Sequence, residues 1–367
     1  MRFRYSSKEN GNPVKIAAVY TQEEHKINFA DVDSQAVYII ERLKASGYES
    51  YIVGGAVRDL ILGKRPKDFD IVTAANPSRI KKIFRNARII GRRFRLVHVY
   101  FGPKIYEVST FRSIRDGHTS NTFGTIEEDV KRRDFSLNAL FYDPLNQIVI
   151  DYVGGMKDIK KRQLRSIIPL PYIFTDDPVR MIRAVKYAAA AEFRIPLPLK
   201  WGIKKHSILL ADVSPSRLTE EIFKILHSPK ALEIVTYLDA LKIYVYLQPK
   251  ADELFRTKPG FKKRYLKTIG SLKPDTEKEV PGEALLALVR DYLEDNVDWN
   301  GDLQLSELYK NAFNLARNFI SPMTPPRIEL ESAVKILFVE HGKIPKRSRR
   351  KSHKKSSSQP KAAQPVG

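Results

Sequence analysis

Residues 51–72 read Tyr51-Ile-Val-Gly-Gly-Ala-Val-Arg-Asp-Leu-Ile-Leu-Gly-Lys-Arg-Pro-Lys-Asp-Phe-Asp-Ile-Val72. Tyr51-Ile52-Val53 is short, aromatic and β-branched, as a buried strand is, and Gly54-Gly55 stops it. Glycines at that point allow positive φ and let another group come close to the backbone. From Ala56 to Leu62 the apolar residues Val57, Leu60 and Ile61 fall at helical spacing, with Gly63 placed to end the helix at C′. A strand, a glycine turn and a helix in that order aim backbone N–H groups and the positive end of a helix dipole at whatever lies over the turn. A phosphate suits that place, although Gly-Gly on its own is equally an ordinary tight turn.

The next strand adds the decisive chemistry. In Asp68-Phe69-Asp70-Ile71-Val72 a period of two sends both carboxylates to one face and Phe69 and Ile71 to the other. Neighbouring carboxylates repel, a cost tolerated where cations share them. Hard oxygen ligands favour Mg²⁺, with substrate phosphates completing the shell. Two such ions would activate an attacking hydroxyl and stabilise a leaving pyrophosphate. A merely solvated strand face leaves the glycine turn upstream without a purpose.

Gly54-Gly55-Ala56-Val57-Arg58-Asp59 followed by Asp68-Phe69-Asp70 resembles the head of the class II nucleotidyltransferases of the polymerase β superfamily, which are the bacterial poly(A) polymerases and the tRNA CCA-adding enzymes. Further motifs follow in that family's order, over about residues 35–230. Tyr106-Glu107-Val108-Ser109-Thr110-Phe111-Arg112 resembles the strand carrying a third carboxylate. Glu127 to Ala139 resembles the family's Arg-Arg-Asp motif around Arg132, Arg133 and Asp134. Asp176-Asp177-Pro178-Val179-Arg180-Met181-Ile182-Arg183-Ala184 resembles the nucleobase-reading helix, with Asp176 where family members commonly carry Glu. The resemblance implies that Asp68, Asp70 and Glu107 hold two Mg²⁺ ions. It implies that Gly54, Gly55, Arg58 and Arg133 hold the triphosphate of ATP as substrate, and that Asp177, Arg180 and Arg183 read the base.

The same residues have readings of their own. Glu107 alternates with Tyr106 and Val108, so it faces the aspartate pair if the strands are neighbours. Arg133 is suited to clamping phosphate oxygens with its planar fork. Asp134 is either a catalytic carboxylate or the orienter of a neighbouring arginine. Asp177 serves as N-cap with Pro178 at N1, and Asp177, Arg180 and Arg183, three apart, project from one side of the helix.

Ile89 to Val99, with Arg92, Arg93 and Arg95, resembles the element that marks bacterial poly(A) polymerases. The run from Asp151 to Asp158 is common to both branches. The expected activity is therefore template-independent addition of AMP from ATP to RNA 3′ ends, with a role in RNA turnover; tRNA CCA or A addition is the alternative. A catalytically silent RNA-binding relative would have a broken carboxylate set, whereas Asp68, Asp70 and Glu107 are all present.

Composition agrees with an RNA partner. The 367 residues carry a formal net charge of +22, an excess that attracts polyanions and makes binding salt-dependent. The absence of cysteine excludes disulfides, thiol catalysis and cysteine zinc sites. No apolar stretch is long enough to span a bilayer and the amino end has no signal core, so a cytoplasmic monomer without membrane insertion is expected, with contacts to RNA-decay machinery.

The expected fold is α+β: a polymerase β-like head of mixed sheet and helices, an all-α neck and body, and a disordered basic tail. The divisions are a flexible segment 1–32, the catalytic head 33–160, a helical neck 161–240, a helical body 241–342 and the tail 343–367, whose Lys346, Arg347, Arg349, Arg350, Lys351, Lys354 and Lys355 are placed to grip RNA. Helices are expected at Val37–Ala45, Ser214–Leu226, Leu232–Leu247 and Glu283–Leu293.

Overall fold

A computed structural model describes residues 2–7, 13–91, 96–113, 122–273 and 282–344. Arg92, Arg93, Phe94 and Arg95, and the tail from Lys346 on, lie outside the described residues.

The strands are β1 (Arg2–Ser7), β2 (Pro13–Tyr20), β3 (Ser50–Val53), β4 (Asp70–Thr73), β5 (Ala87–Ile90), β6 (Leu96–Phe101), β7 (Lys104–Thr110), β8 (Leu140–Asp143) and β9 (Ile148–Asp151). They form one sheet in the order β1-β2-β9-β8-β3-β4-β7-β6-β5. Only β4 and β7 run parallel; the other neighbours are antiparallel. Parallel neighbours need a long return, here supplied by the helix Pro77–Ile83 and the β5–β6 hairpin. Beyond Tyr172 the described chain is helical. One buried apolar cluster runs from Ile27 through the sheet to Phe338, so sheet and helices share a core.

The mixed sheet followed by helices is the α+β architecture expected from the sequence. The glycine turn also has the expected form. Gly54 (φ 72°) precedes the helix Gly55–Ile61, and Gly63 (φ 67°) closes it. At the aspartates the strand is shorter than its alternation implied. β4 begins at Asp70, while Phe69 is already buried between exposed Asp68 and Asp70.

Two expectations need correction. Residues 1–32 were expected to be loosely held, yet β1 and β2 form a hairpin paired onto β9. Arg4 ties it down through the Tyr152 hydroxyl (3.0 Å) and Glu49 (2.8 Å). An edge hairpin draws much of its hold from the backbone ladder, so polar side chains on its outer face do not argue against it. The helix expected over Leu232–Leu247 is two helices, Ala231–Ala240 and Tyr244–Leu247. They break at Lys242, whose φ of 61° is left-handed and ends a helix despite apolar neighbours.

The run Asp151–Asp158 has a plain physical role. The buried Asp151 carboxylate accepts from the N–H groups of Val153, Gly154, Gly155 and Met156 at 2.7–3.1 Å, capping the helix Gly155–Lys160. Gly155 packs so closely on the Ser136 carbonyl that no Cβ fits. Asp158 accepts from Ser136 Oγ (2.6 Å) and Arg165 Nε (2.8 Å). Together they pin the turn Ser136–Asn138, next to Arg133 and Asp134. Asp151→Ala leaves those four donors without their acceptor and is expected to lower stability by about 2 kcal/mol, read as a lower urea midpoint.

Candidate active site

The strand register sets the first wall of the site. Ile71 of β4 lies opposite Val108 of β7 in the parallel pair, so the residues one step earlier, Asp70 and Glu107, face the same side. Asp70 meets solvent within the cleft it lines, and desolvation there, the Glu107 carboxylate and the Asp68 carboxylate, in that order, push its carboxyl up to about 6, against the pull of Arg133. His98 of β6 lies opposite Glu107, its ring nitrogen 3.6 Å from the carboxylate. Among the described residues no three acidic or histidine side chains converge closely enough to form a complete metal site. Asp70 and Glu107 share one side of the sheet, and Asp68 opens on the next cavity.

The second wall is cationic. A cavity of about 690 Å³ is lined by the Gly54-Gly55 turn and Asp70 on one side and by Arg180, Arg183, Tyr187 and Arg217 of the helices on the other. Arg112, Arg132, Arg133, Asp134, Asn138, Asp176 and Asp177 complete it. Burial and the neighbouring Arg112 push the Arg132 guanidinium down to about 10, with Arg133 and Arg180 adding to the repulsion. Burial also lowers Arg112 and Arg180. Guanidiniums crowded enough to depress one another fit an anion of several charges.

The predicted residues fall into distinct places. Gly54, Gly55, Asp70, Arg133, Asp134, Asp177, Arg180 and Arg183 all line this cavity, and Glu107 lines an adjoining one that shares Gly54, Asp70 and Arg133. Arg133 sits between Asp129 (2.8 Å) and the Asn138 carbonyl (3.0 Å), which aims its fork. Asp68 opens on a neighbouring cavity with Arg65, Lys67 and Lys104, while its charge still reaches Asp70.

Arg58 lines neither of the two joined cavities. It is buried beneath the turn, bonded to Asp59 (2.8 Å) and Asn138 Oδ1 (3.2 Å) and lying over the Tyr187 ring, so its donors brace the floor. Asp134 is buried and meets Arg183 Nη2 at 2.9 Å, and its other oxygen accepts the Phe135 N–H. The oxygen facing Arg183 is buried and has no hydrogen-bond partner among the described residues, so the contact is an ion pair. Arg183 also donates to the Tyr187 hydroxyl (2.9 Å). Burial alone would lower its pKa, but Asp134 and Tyr187 outweigh that and raise it.

The helix Val179–Ala191 starts after Pro178, with Asp177 accepting the Val179 N–H (3.2 Å). Asp177 is also gripped by both carboxylate oxygens, 3.0 Å each, by Arg217 of the helix Pro215–Leu226. Arg180 is anchored on the Ile173 carbonyl (3.2 Å). Arg217, Tyr187 and Asn138 are cavity residues that spacing did not single out. Tyr187 alone left a trace, four residues after Arg183 on one helix face.

Residues 50–165 match the family model of the poly A polymerase head domain, and residues 192–255 match that of the probable RNA and SrmB-binding site of polymerase A. Poly(A) polymerase I of Salmonella typhi is 42% identical over 253 residues, covering 65% of this chain and 54% of that protein. The CCA-adding enzyme of Geobacillus thermodenitrificans is 38% identical over 225 residues, covering 60% and 55%. Residues 50–165 are thus a head domain of the kind that poly(A) polymerases and CCA-adding enzymes share. The chain spans about half the length of these curated relatives. Among solved structures, the CCA-adding enzyme of Bacillus stearothermophilus in complex with CTP superposes with a TM-score of 0.56 at 27% identity, over 83% of this chain and 82% of that one.

The raised Asp70 carboxyl gives a test independent of catalysis. The folded state holds this proton more tightly than the unfolded chain, whose carboxyl titrates near 4. Its contribution to stability is full below pH 4, declines as pH rises through about 6 and stays low above that. Without added metal, Asp70→Asn is therefore expected to melt above the parent protein at pH 7.5, with the difference closing toward pH 4. An equal or lower melting temperature at pH 7.5 would contradict the crowding.

Proposed function

We propose that this protein transfers AMP from ATP to the 3′-hydroxyl of RNA without a nucleic acid template. The observation carrying the reading is one cavity that joins the glycine turn, a cluster of arginines, Asp70 and the Asp177/Arg180 edge. That set offers a seat for a triphosphate and a donor–acceptor pair for a base. Identity to the Salmonella enzyme supports adenylate as the added unit.

In the reaction the acceptor's 3′-oxygen attacks the α-phosphorus. A new P–O bond forms as the bond to the bridging α–β oxygen breaks; pyrophosphate departs and the hydroxyl proton passes to solvent. Gly54 and Gly55 offer backbone approach to the phosphates, and Arg133, with Arg112 and Arg132, takes up their charge. Arg58 acts one layer down, holding Asn138 and Tyr187 in place. Asp177 accepts from the exocyclic amine of adenine, Arg180 donates to the adjacent ring nitrogen, and Arg183 positions that helix through Asp134. Asp68, Asp70 and Glu107 would hold Mg²⁺, two ions by family resemblance, which when bound acidify the attacking hydroxyl and neutralise the leaving group.

Among the described residues no helix is long and apolar enough to cross a membrane. A cytoplasmic monomer acting in RNA turnover, in contact with RNA-decay machinery, fits this reading. A second reading, CCA or A addition to tRNA, is supported by the Geobacillus relative and the Bacillus structure.

Purified protein with Mg²⁺ and either generic RNA or tRNA lacking its CCA end, each with ATP or CTP, separates the two. Long A-tails on generic RNA are expected; CTP incorporation confined to tRNA would replace the first reading with the second. Asp70→Ala is expected to abolish transfer with an unchanged circular dichroism spectrum, and near-normal kcat would overturn the site assignment. Arg217→Ala releases the Asp177 carboxylate and is expected to raise KM for ATP several-fold while leaving KM for RNA near its starting value.

A further inference from the structure

The helix Leu197–His206 buries one side and leaves the other uncovered. Leu199, Gly202 and Ile203 face inward. A Cβ on Gly202 would stand 3.2 Å from Leu170 and 3.4 Å from the Phe174 ring, so this helix lies tightly on the helix Tyr172–Asp176. On the outer face Leu197 and Trp201, four apart, are 79% and 65% exposed, and Ile208 continues the line at 62%. Large apolar groups set in a row on solvent mark an interaction surface.

The flanking charges say what that surface takes. Lys205 Nζ lies 4.9 Å from the centre of the Trp201 ring. Lys204, three residues after Trp201, is one turn along the same helix. Both lysines are exposed, and among the described residues neither is in an ion pair. Lysine is depleted at the centre of protein–protein interfaces, whereas an aromatic face beside free ammonium groups offers a base somewhere to stack and its phosphates somewhere to pair. The face also leads toward the reaction site, because the helix beneath it ends at Asp176, which lines the cavity.

We propose that Trp201, with Lys204 and Lys205, is a stacking platform for single-stranded RNA a few nucleotides upstream of the acceptor's 3′ end. This rests on the reading of RNA as acceptor; Trp201 lies within the residues that match the probable RNA and SrmB-binding model, and the platform adds which side chains hold the strand and how. Every base has a π-face, so the platform grips the strand without reading its sequence.

The chain has two tryptophans, which makes the contact visible. Trp299 is buried in the helical region and stacked on His341, 4.0 Å between centroids, so Trp201 is the one in reach of a ligand. In the full chain, without ATP or metal, oligo(A) is expected to quench tryptophan fluorescence saturably. The quench should persist in Trp299→Phe and vanish in Trp201→Phe, whose ring still stacks but does not report. Trp201→Ala should weaken oligo(A) binding at least roughly fivefold, the effect of losing one stacked base, with KM for ATP unchanged.

A quench that survives Trp201→Phe, or unchanged affinity in Trp201→Ala, would overturn the platform even if the parent enzyme adds nucleotides to RNA. Loss of self-association in Trp201→Ala, with RNA binding intact, would overturn it in favour of a contact between copies. A parent protein that binds no single-stranded RNA would remove the platform together with the acceptor reading.

Discussion

The buried carboxylate of Asp134 meets the guanidinium of Arg183 where the sheet's turn faces the first long helix, and the cleft depends on that contact being kept. Arg183 extends it to Tyr187, Tyr187 lies against Arg58, and Arg58 holds Asn138 beside Arg133. One strand of polar contacts thus ties the arginine wall around Arg133 to the helix that carries Arg180. A buried pair adds little stability over a well-packed apolar substitute, while removal of one partner leaves a costly lone charge. Its value here is registry between two elements far apart in the chain.

The two walls around that tie are each built against electrostatic preference. Asp70 is crowded by Glu107 and Asp68, and Arg132 by Arg112, Arg133 and Arg180. Like charges held together in a cleft are strain that the rest of the fold must offset, and the large shared core is what offsets it. The sheet contributes through register: parallel pairing of β4 with β7 is what sets a third carboxylate beside the second.

The parts legible in the sequence were those whose chemistry is local. The turn at Gly54, the close at Gly63 and the alternation around Phe69 are set by residues within a few positions of one another, and spacing reveals such patterns. Arg58 sits in the same signature, yet its direction is decided by Asn138, eighty residues on, so adjacency to the glycines misplaced it. Arg217 reaches Asp177 across forty residues between two helices, and no local period announces that. The amino-terminal hairpin was hidden for the opposite reason: its hold lies in the backbone ladder to β9, which side-chain polarity does not report.

The cavity's lining carries six arginines against four aspartates, so its walls lean toward positive charge. Buffers are then not inert toward this protein. Inorganic phosphate, sulfate and pyrophosphate are small enough to sit among those guanidiniums and will compete for the seat proposed for the triphosphate. The choice of counterion during purification and storage therefore sets how much of the site is open when a measurement begins.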